Sequence, residues 1–174
     1  MPIKIVIIGP ESTGKSTLSK NLSAHFNDPW VEEYAREYVE KLDRPYEYED
    51  LLLIAQGQLM KEDDQALKAD RYLFCDTDLH VIQIWSRHRF GKTHPWILKQ
   101  LKERRYDLYL ITDIDIPWGA DPQREHPDPE MRKYFMEKYV KIISNTEVPY
   151  IILRGDHKTR LKMAVDKITS LFNN

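Results

Sequence analysis

Cysteine is nearly missing from this chain, with Cys75 the one thiol among 174 residues. A single cysteine forms no internal disulfide, which excludes a disulfide-stapled secreted scaffold and suits a reducing cytosol. An excess of one charge is missing too. There are 26 Lys plus Arg against 28 Asp plus Glu, a net charge of −2, so no bulk field draws the chain to nucleic acid or an anionic membrane. No apolar run approaches the length that spans a bilayer. The first strand is expected from residue 3, and with it the expectation is that there is no signal peptide. Internal repeats and low-complexity stretches are absent. The expectation is one cytoplasmic domain over residues 1–174, long enough for a real core and too short to divide comfortably.

Against these absences stands Gly9-Pro-Glu-Ser-Thr-Gly-Lys-Ser-Thr17, which reads G-x-x-x-x-G-K-S. Residues 3–8 before it are an apolar, β-branched run of the kind a strand buried on both faces requires. After it Leu18, Leu22 and Phe26 recur every fourth residue, so a helix begins as the loop ends. In a strand–loop–helix of this kind, backbone N–H groups curl around a phosphate at the helix N-terminus. Lys15 is placed to reach the β- and γ-phosphates and Ser16 to ligate Mg²⁺. Gly9, Glu11, Ser12, Thr13, Gly14, Lys15, Ser16 and Thr17 are the candidate contacts for a nucleoside triphosphate.

Acids at strand ends extend the pattern. Residues 30–33 read as a short second strand and 34–42 as a helix. Glu33 and Arg36 then fall beyond a carboxyl end, where ligands collect in an open parallel sheet. A solvated helix start explains the same two residues as well. Residues 72–75 form the next strand and run into Asp76-Thr-Asp78. A hydrophobic strand ending in an acid is what a P-loop enzyme needs opposite its Mg²⁺, and such a carboxylate also accepts a substrate proton. Asp76 takes that reading. Asp78 is either a second site acid or the N-cap of a helix over 79–90.

Residues 48–69 look like a long amphipathic helix. Leu52, Ala55, Leu59 and Ala66 lie on or near its buried stripe, and Glu62, Asp63 and Asp64 face water. Gly57 inside it costs about 1 kcal/mol relative to Ala, which marks either a ligand or backbone approaching closely or plain helix packing. Arg87, His88 and Arg89 read as a solvated face or a phosphate-side rim, and His94 as a loop histidine with a backbone partner. Strands at 107–112 and 148–153, with helices at 96–105, 131–145 and 157–172, complete the alternation. The predicted fold is α/β: five parallel strands with helices on both faces. The polar, proline-rich segment from 113 to about 132 reads as a lid. Arg124 in it and Arg132 after it are candidates to swing over the triphosphate, with solvated surface arginines the alternative. Arg154 and Gly155, after the last strand, are positional candidates for the nucleotide base.

With these residues laid out, the chain resembles the nicotinamide riboside kinase domain of NadR-type proteins and the related AAA-type ATP-binding kinases. The matching pieces are the P-loop, Glu33-Tyr-Ala-Arg-Glu37, Ile54-Ala-Gln-Gly57, Asp76-Thr-Asp78 and Gly91-Lys-Thr-His-Pro95. The resemblance implies γ-phosphoryl transfer from ATP, with Mg²⁺, to the 5′-hydroxyl of nicotinamide riboside, giving nicotinamide mononucleotide. Another nucleoside or nucleotide as acceptor, or a regulatory ATP-binding switch, are the alternatives. It implies a small-molecule acceptor; with the charge balance above, no nucleic acid or membrane is expected as a partner, and no obligate protein partner is evident. Lys15 and the loop amides would hold the phosphates, Ser16 and Asp76 would manage Mg²⁺, and Arg124 and Arg132 would close over the charge. Asp76 or Glu33 would orient the hydroxyl. Where the family has a Trp directly before Glu-Tyr, this chain has Glu32, with Trp30 two residues earlier on the same strand face. Trp30, Glu32, Glu33, Tyr34, Arg36 and Asp78 are thus the expected acceptor contacts. Family members carry this domain behind an adenylyltransferase domain. The expectation is that this chain lacks that part and any N-terminal DNA-binding segment.

Overall fold

In the computed structural model, which describes residues 1–172, the first strand shows why its sequence is apolar throughout. Along β1 (Ile3–Ile8), Ile5 and Ile7 pack with Leu18 and Leu22 of α1 (Lys15–Phe26) and with Ala164 and Ile168 of α7 (His157–Phe172). Val6 and Ile8 point the other way, into a cluster with Val81 and Ile84 of α4 (Leu79–Phe90) and Phe135, Tyr139 and Ile143 of α6 (Pro129–Ser144). Successive side chains leave a strand on opposite faces, so a strand covered on both has no polar side.

Around β1 the sheet runs β2-β3-β1-β4-β5, where β2 is Trp30–Val31, β3 Tyr72–Asp76, β4 Leu108–Thr112 and β5 Tyr150–Leu153. Every neighbouring pair is parallel, so Ile8, Asp76 and Thr112 end along one edge. This is the five-stranded parallel sheet, helices on both faces, that the alternation predicts. A third cluster joins α2 (Tyr34–Glu40), α3 (Tyr48–Ala66) and α5 (Pro95–Glu103) to α4, through Leu51, Ile54, Ala55, Leu59, Leu79, Ile82 and Ile97. Among the described residues no helix is long and apolar enough to cross a membrane.

Several local expectations change. β2 stops at Val31, leaving Glu32 and Glu33 outside the strand. α3 ends at Ala66 instead of 69, and its buried stripe includes Leu51 and Glu62. Glu62 does not face water: it accepts from Lys4 Nζ at 2.7 Å, the Tyr106 hydroxyl at 2.9 Å and Arg104 Nη1 at 3.4 Å. Two cations and a phenol compensate the buried charge. α6 starts at Pro129, because the Asp128 carboxylate accepts the N–H groups of Glu130 and Met131 and Pro fits the first turn. Gly57 is explained by helix packing. A Cβ there would lie 2.1 Å from Cε1 of Tyr34, so the α2 ring rests on the α3 backbone.

Candidate functional site

Residues 9–14 leave β1 and fold back onto the first turn of α1. A Cβ on Gly9 would meet the Thr112 hydroxyl at 2.5 Å, and Gly14 caps α1 at φ 81, left-handed backbone that glycine adopts without steric cost. Thr13 clamps the loop by donating to the Pro10 carbonyl at 2.7 Å, with Thr112 Oγ1 2.6 Å away. The Lys15 ammonium donates to the same carbonyl at 2.9 Å. From behind, Arg160 of α7 is only 1% exposed. It donates to the carbonyls of Thr13 (2.6 Å), Asp113 (2.9 Å) and Gly155 (2.9 Å) and to the Asp115 carboxylate. Sequence reasoning missed this residue, since nothing local separates one buried cation from its exposed neighbours on an amphipathic helix.

β3 brings the first acid to the loop. Asp76 lies in register with Ile7, is 1% exposed and accepts the Ser16 hydroxyl. Burial, and then the negative charge of Glu33, push its carboxyl up to about 6 against the opposing pull of Lys15. Its Oδ1 is buried with no hydrogen-bond partner. A spare carboxylate oxygen beside a hydroxyl fits a hard divalent cation. Mg²⁺ takes one or two protein oxygens and completes its octahedron with phosphate and water. Among the described residues there is no cluster of three or more Asp, Glu, His or Cys that could hold a metal.

In front of the loop opens a cavity of about 480 Å³. Its phosphate end is lined by Lys15, Ser16 and Glu33, and it continues over Val39, Leu51, Ile54 and Ile82 to Tyr46 and Arg89. The segment between β4 and α6 closes one wall with Gln123, Arg124 and Glu125. Three ties hold that segment down. The Glu11 carboxylate accepts the N–H groups of Glu125 (3.1 Å) and His126 (3.3 Å), and burial raises its carboxyl despite them. Arg36 donates to Asp121 at 3.0 Å, and Arg89 lies 3.4 Å from the Glu125 carboxylate.

Of the residues expected from sequence, Gly9, Glu11, Ser12, Thr13, Gly14, Lys15, Ser16, Thr17, Glu33, Arg36 and Arg124 line this one cavity. Others are placed elsewhere. The Arg132 guanidinium donates to the carbonyls of Ile116 (3.0 Å) and Ser12 (3.4 Å), where burial lowers its basicity, and is not among the residues lining the cavity. Arg154 turns to Asp113 (2.6 Å), and the Gly155 N–H donates to Asp115 (2.6 Å). Asp78 is the N-cap of α4, accepting from the His80 N–H at 2.9 Å and the Tyr109 hydroxyl at 2.8 Å. Trp30 packs in the α1-side core with the Lys20 ammonium 5.3 Å from its ring, and Glu32 is exposed. Neither lines the cavity, because the strand that was to carry both ends between them. Tyr34 rests on Gly57. The cavity's aromatic side chains are instead Tyr46, Trp85 and Tyr139, which no sequence signal marked.

A family model described as an AAA domain matches residues 4–160. The trifunctional NAD biosynthesis/regulator protein NadR of Salmonella typhimurium is 28% identical over 172 residues, covering 96% of this chain and 42% of the relative. The chain thus spans less than half the length of that relative. A crystal structure of NadR protein in complex with NR is similar with a TM-score of 0.82 and 25% identity, over 99% of this chain and 50% of that one. Thymidylate kinase from Ehrlichia chaffeensis reaches a TM-score of 0.67 at 14% identity over 98% of both chains, a likeness of fold alone.

Proposed function

This chain belongs to the AAA domain family, and from that premise we propose an ATP-dependent kinase that phosphorylates the 5′-hydroxyl of a nucleoside, nicotinamide riboside first among them. The observation that carries the reading is the continuity of one cavity. Its phosphate end holds Lys15, Ser16 and Glu33, and it runs on into an apolar slot over Val39, Leu51, Ile54 and Ile82. A switch that only hydrolyses ATP needs water beside the γ-phosphate; a phosphoryl acceptor bearing a flat ring needs the slot. Nicotinamide riboside is favoured by two relatives: a NAD biosynthesis protein at 28% identity and a NadR structure that holds NR. Tyr46 and Trp85 supply aromatic surface for a pyridinium ring where Trp30 does not reach.

The roles divide by position. The loop amides and Lys15 bind the triphosphate, and Arg124 faces the same space from the segment 113–128, which acts as the lid. Ser16 and Asp76 would hold Mg²⁺, which when bound neutralises charge on the β- and γ-phosphates. Glu33 lines the cavity whereas Asp76 lies behind Ser16. That favours Glu33 as the carboxylate that orients the hydroxyl and takes its proton.

The test is ADP release by purified protein with Mg-ATP, screened against nicotinamide riboside and the common ribo- and deoxynucleosides. Saturable release with nicotinamide riboside, and the mononucleotide by mass, is the expected result. Release with a different nucleoside would replace the acceptor and keep the mechanism. No stimulation by any acceptor would overturn the kinase reading. Lys15→Ala should lower turnover at least about 10²-fold with the circular dichroism spectrum unchanged.

A further inference from the structure

Gln58 has no part in the roles above, yet it is 2% exposed and lines the cavity. Its amide is oriented by the backbone. Oε1 accepts the N–H of Tyr34 at 2.8 Å, and that bond settles which end is oxygen. Nε2 is therefore the other end, buried and without a hydrogen-bond partner. A buried N–H left unpaired costs free energy, and native proteins keep few of them. Helix spacing shows what it stands beside. Leu51, Ile54 and Gln58 fall at i, i+3 and i+7 on α3 and all line the cavity, two apolar side chains and then the amide. Glu33, next to Tyr34 in the chain, lines the same cavity. The amide is thus tied to the residue beside Glu33 and shares its cavity with the slot that suits a ring.

The geometry points to Gln58 as a specificity-determining residue for the acceptor, its Nε2 donating a hydrogen bond to an oxygen of the bound nucleoside. That oxygen belongs either to an exocyclic carbonyl on the ring or to a ribose hydroxyl. The assignment rests on the kinase reading of the cavity. A donor satisfied only by a ligand oxygen selects by chemistry. An analogue lacking that oxygen leaves the N–H orphaned and is rejected more steeply than one that merely loses apolar contact.

The experiment compares kcat/KM for nicotinamide riboside with three analogues: carboxamide replaced by hydrogen, 2′-deoxy and 3′-deoxy. Each is measured on the wild type, Gln58→Glu and Gln58→Met. Glu keeps an oxygen for the Tyr34 N–H while removing the donor; Met removes both and keeps the volume. The wild type should prefer the parent over one analogue by about 10- to 100-fold, and both variants should lose that one preference while the other two persist. Whichever preference collapses identifies the oxygen. If all three persist in both variants, Gln58 serves only to pin α2 to α3 and the assignment is overturned. Should Met prevent folding, the Glu variant alone decides. If the wild type uses another nucleoside, the same series on that nucleoside makes the test. If it phosphorylates none, the kinase reading fails and this assignment fails with it.

Discussion

Asp76 is under two opposed demands. Fully buried beside Glu33, its carboxyl is held up at about 6, whereas an unfolded Asp titrates near about 3.9. A raised folded value means that the folded state holds the proton more tightly. The cost of ionising Asp76 is therefore absent below about pH 4, grows as pH rises and is complete above about 6, where two units amount to roughly 3 kcal/mol. Under the proposed role the charge is kept because a cation ligand must be ionised. Asp76→Asn should stabilise the metal-free protein by about 1–3 kcal/mol at pH 7.5 and by little at pH 4.5. Turnover should fall at least about 10²-fold. Urea unfolding at the two pH values checks the first half; equal effects at both would show that the carboxylate is already compensated. Asp76 was legible because a strand and a P-loop announce it. Asp78, two residues on, was not, since a cap and a site acid look alike until the Tyr109 hydroxyl and His80 are seen around it.

Between elements, the contact that seats α2 on α3 is Tyr34 on Gly57. Ala at 57 gains about 1 kcal/mol of helix propensity. Its Cβ, however, would sit 2.1 to 2.5 Å from three atoms of the Tyr34 ring, and overpacking typically costs about 1–3 kcal/mol. The clash should win. Gly57→Ala should lose about 1–2 kcal/mol and raise the acceptor KM more than that of ATP, because displacing α2 moves Glu33 and Arg36. Adding Tyr34→Ala should recover part of the loss, a non-additivity readable in thermal unfolding of the two single variants and the double. The helices themselves were readable from their apolar period, although the Asp128 cap and Pro129 start of α6 were not. The edge strand was not. Two residues of pairing, Trp30 with Phe74 and Val31 with Cys75, leave no run long enough for a period to show, and the expected face of Trp30 and Glu32 went wrong there.

Across the whole molecule, Arg160 joins segments far apart in the chain. One buried guanidinium bonds the P-loop at Thr13, the exit of β4 at Asp113 and Asp115, and the start of α7 at Gly155. Arg160→Met leaves the buried carbonyls unpaired and should cost about 1–3 kcal/mol, a fall in Tm of roughly 3–10 °C for a chain of this length. Triphosphate affinity should weaken as well, because the loop loses its rear support. Nucleotide titration of the variant below its transition checks that part. Glu62 makes the same kind of join on the opposite flank, between β1, α3 and the chain before β4.

By itself the sequence determined the succession of strands and helices along the chain, the glycine-bounded loop between β1 and α1 and the acid that ends β3 beside it. Those depend on the period of neighbouring side chains and on backbone geometry within a few residues, which any reader of the chain can see. Tertiary structure alone decided that Glu62 and Arg160 are buried, that Arg132 lies outside the cavity, that Trp30 belongs to the core and that Gln58 keeps one N–H unpaired. Each of those outcomes depends on partners brought together across the fold, 147 positions apart for Arg160 and Thr13. The free energy of a buried charge or amide is set by those partners, not by its neighbours in the chain.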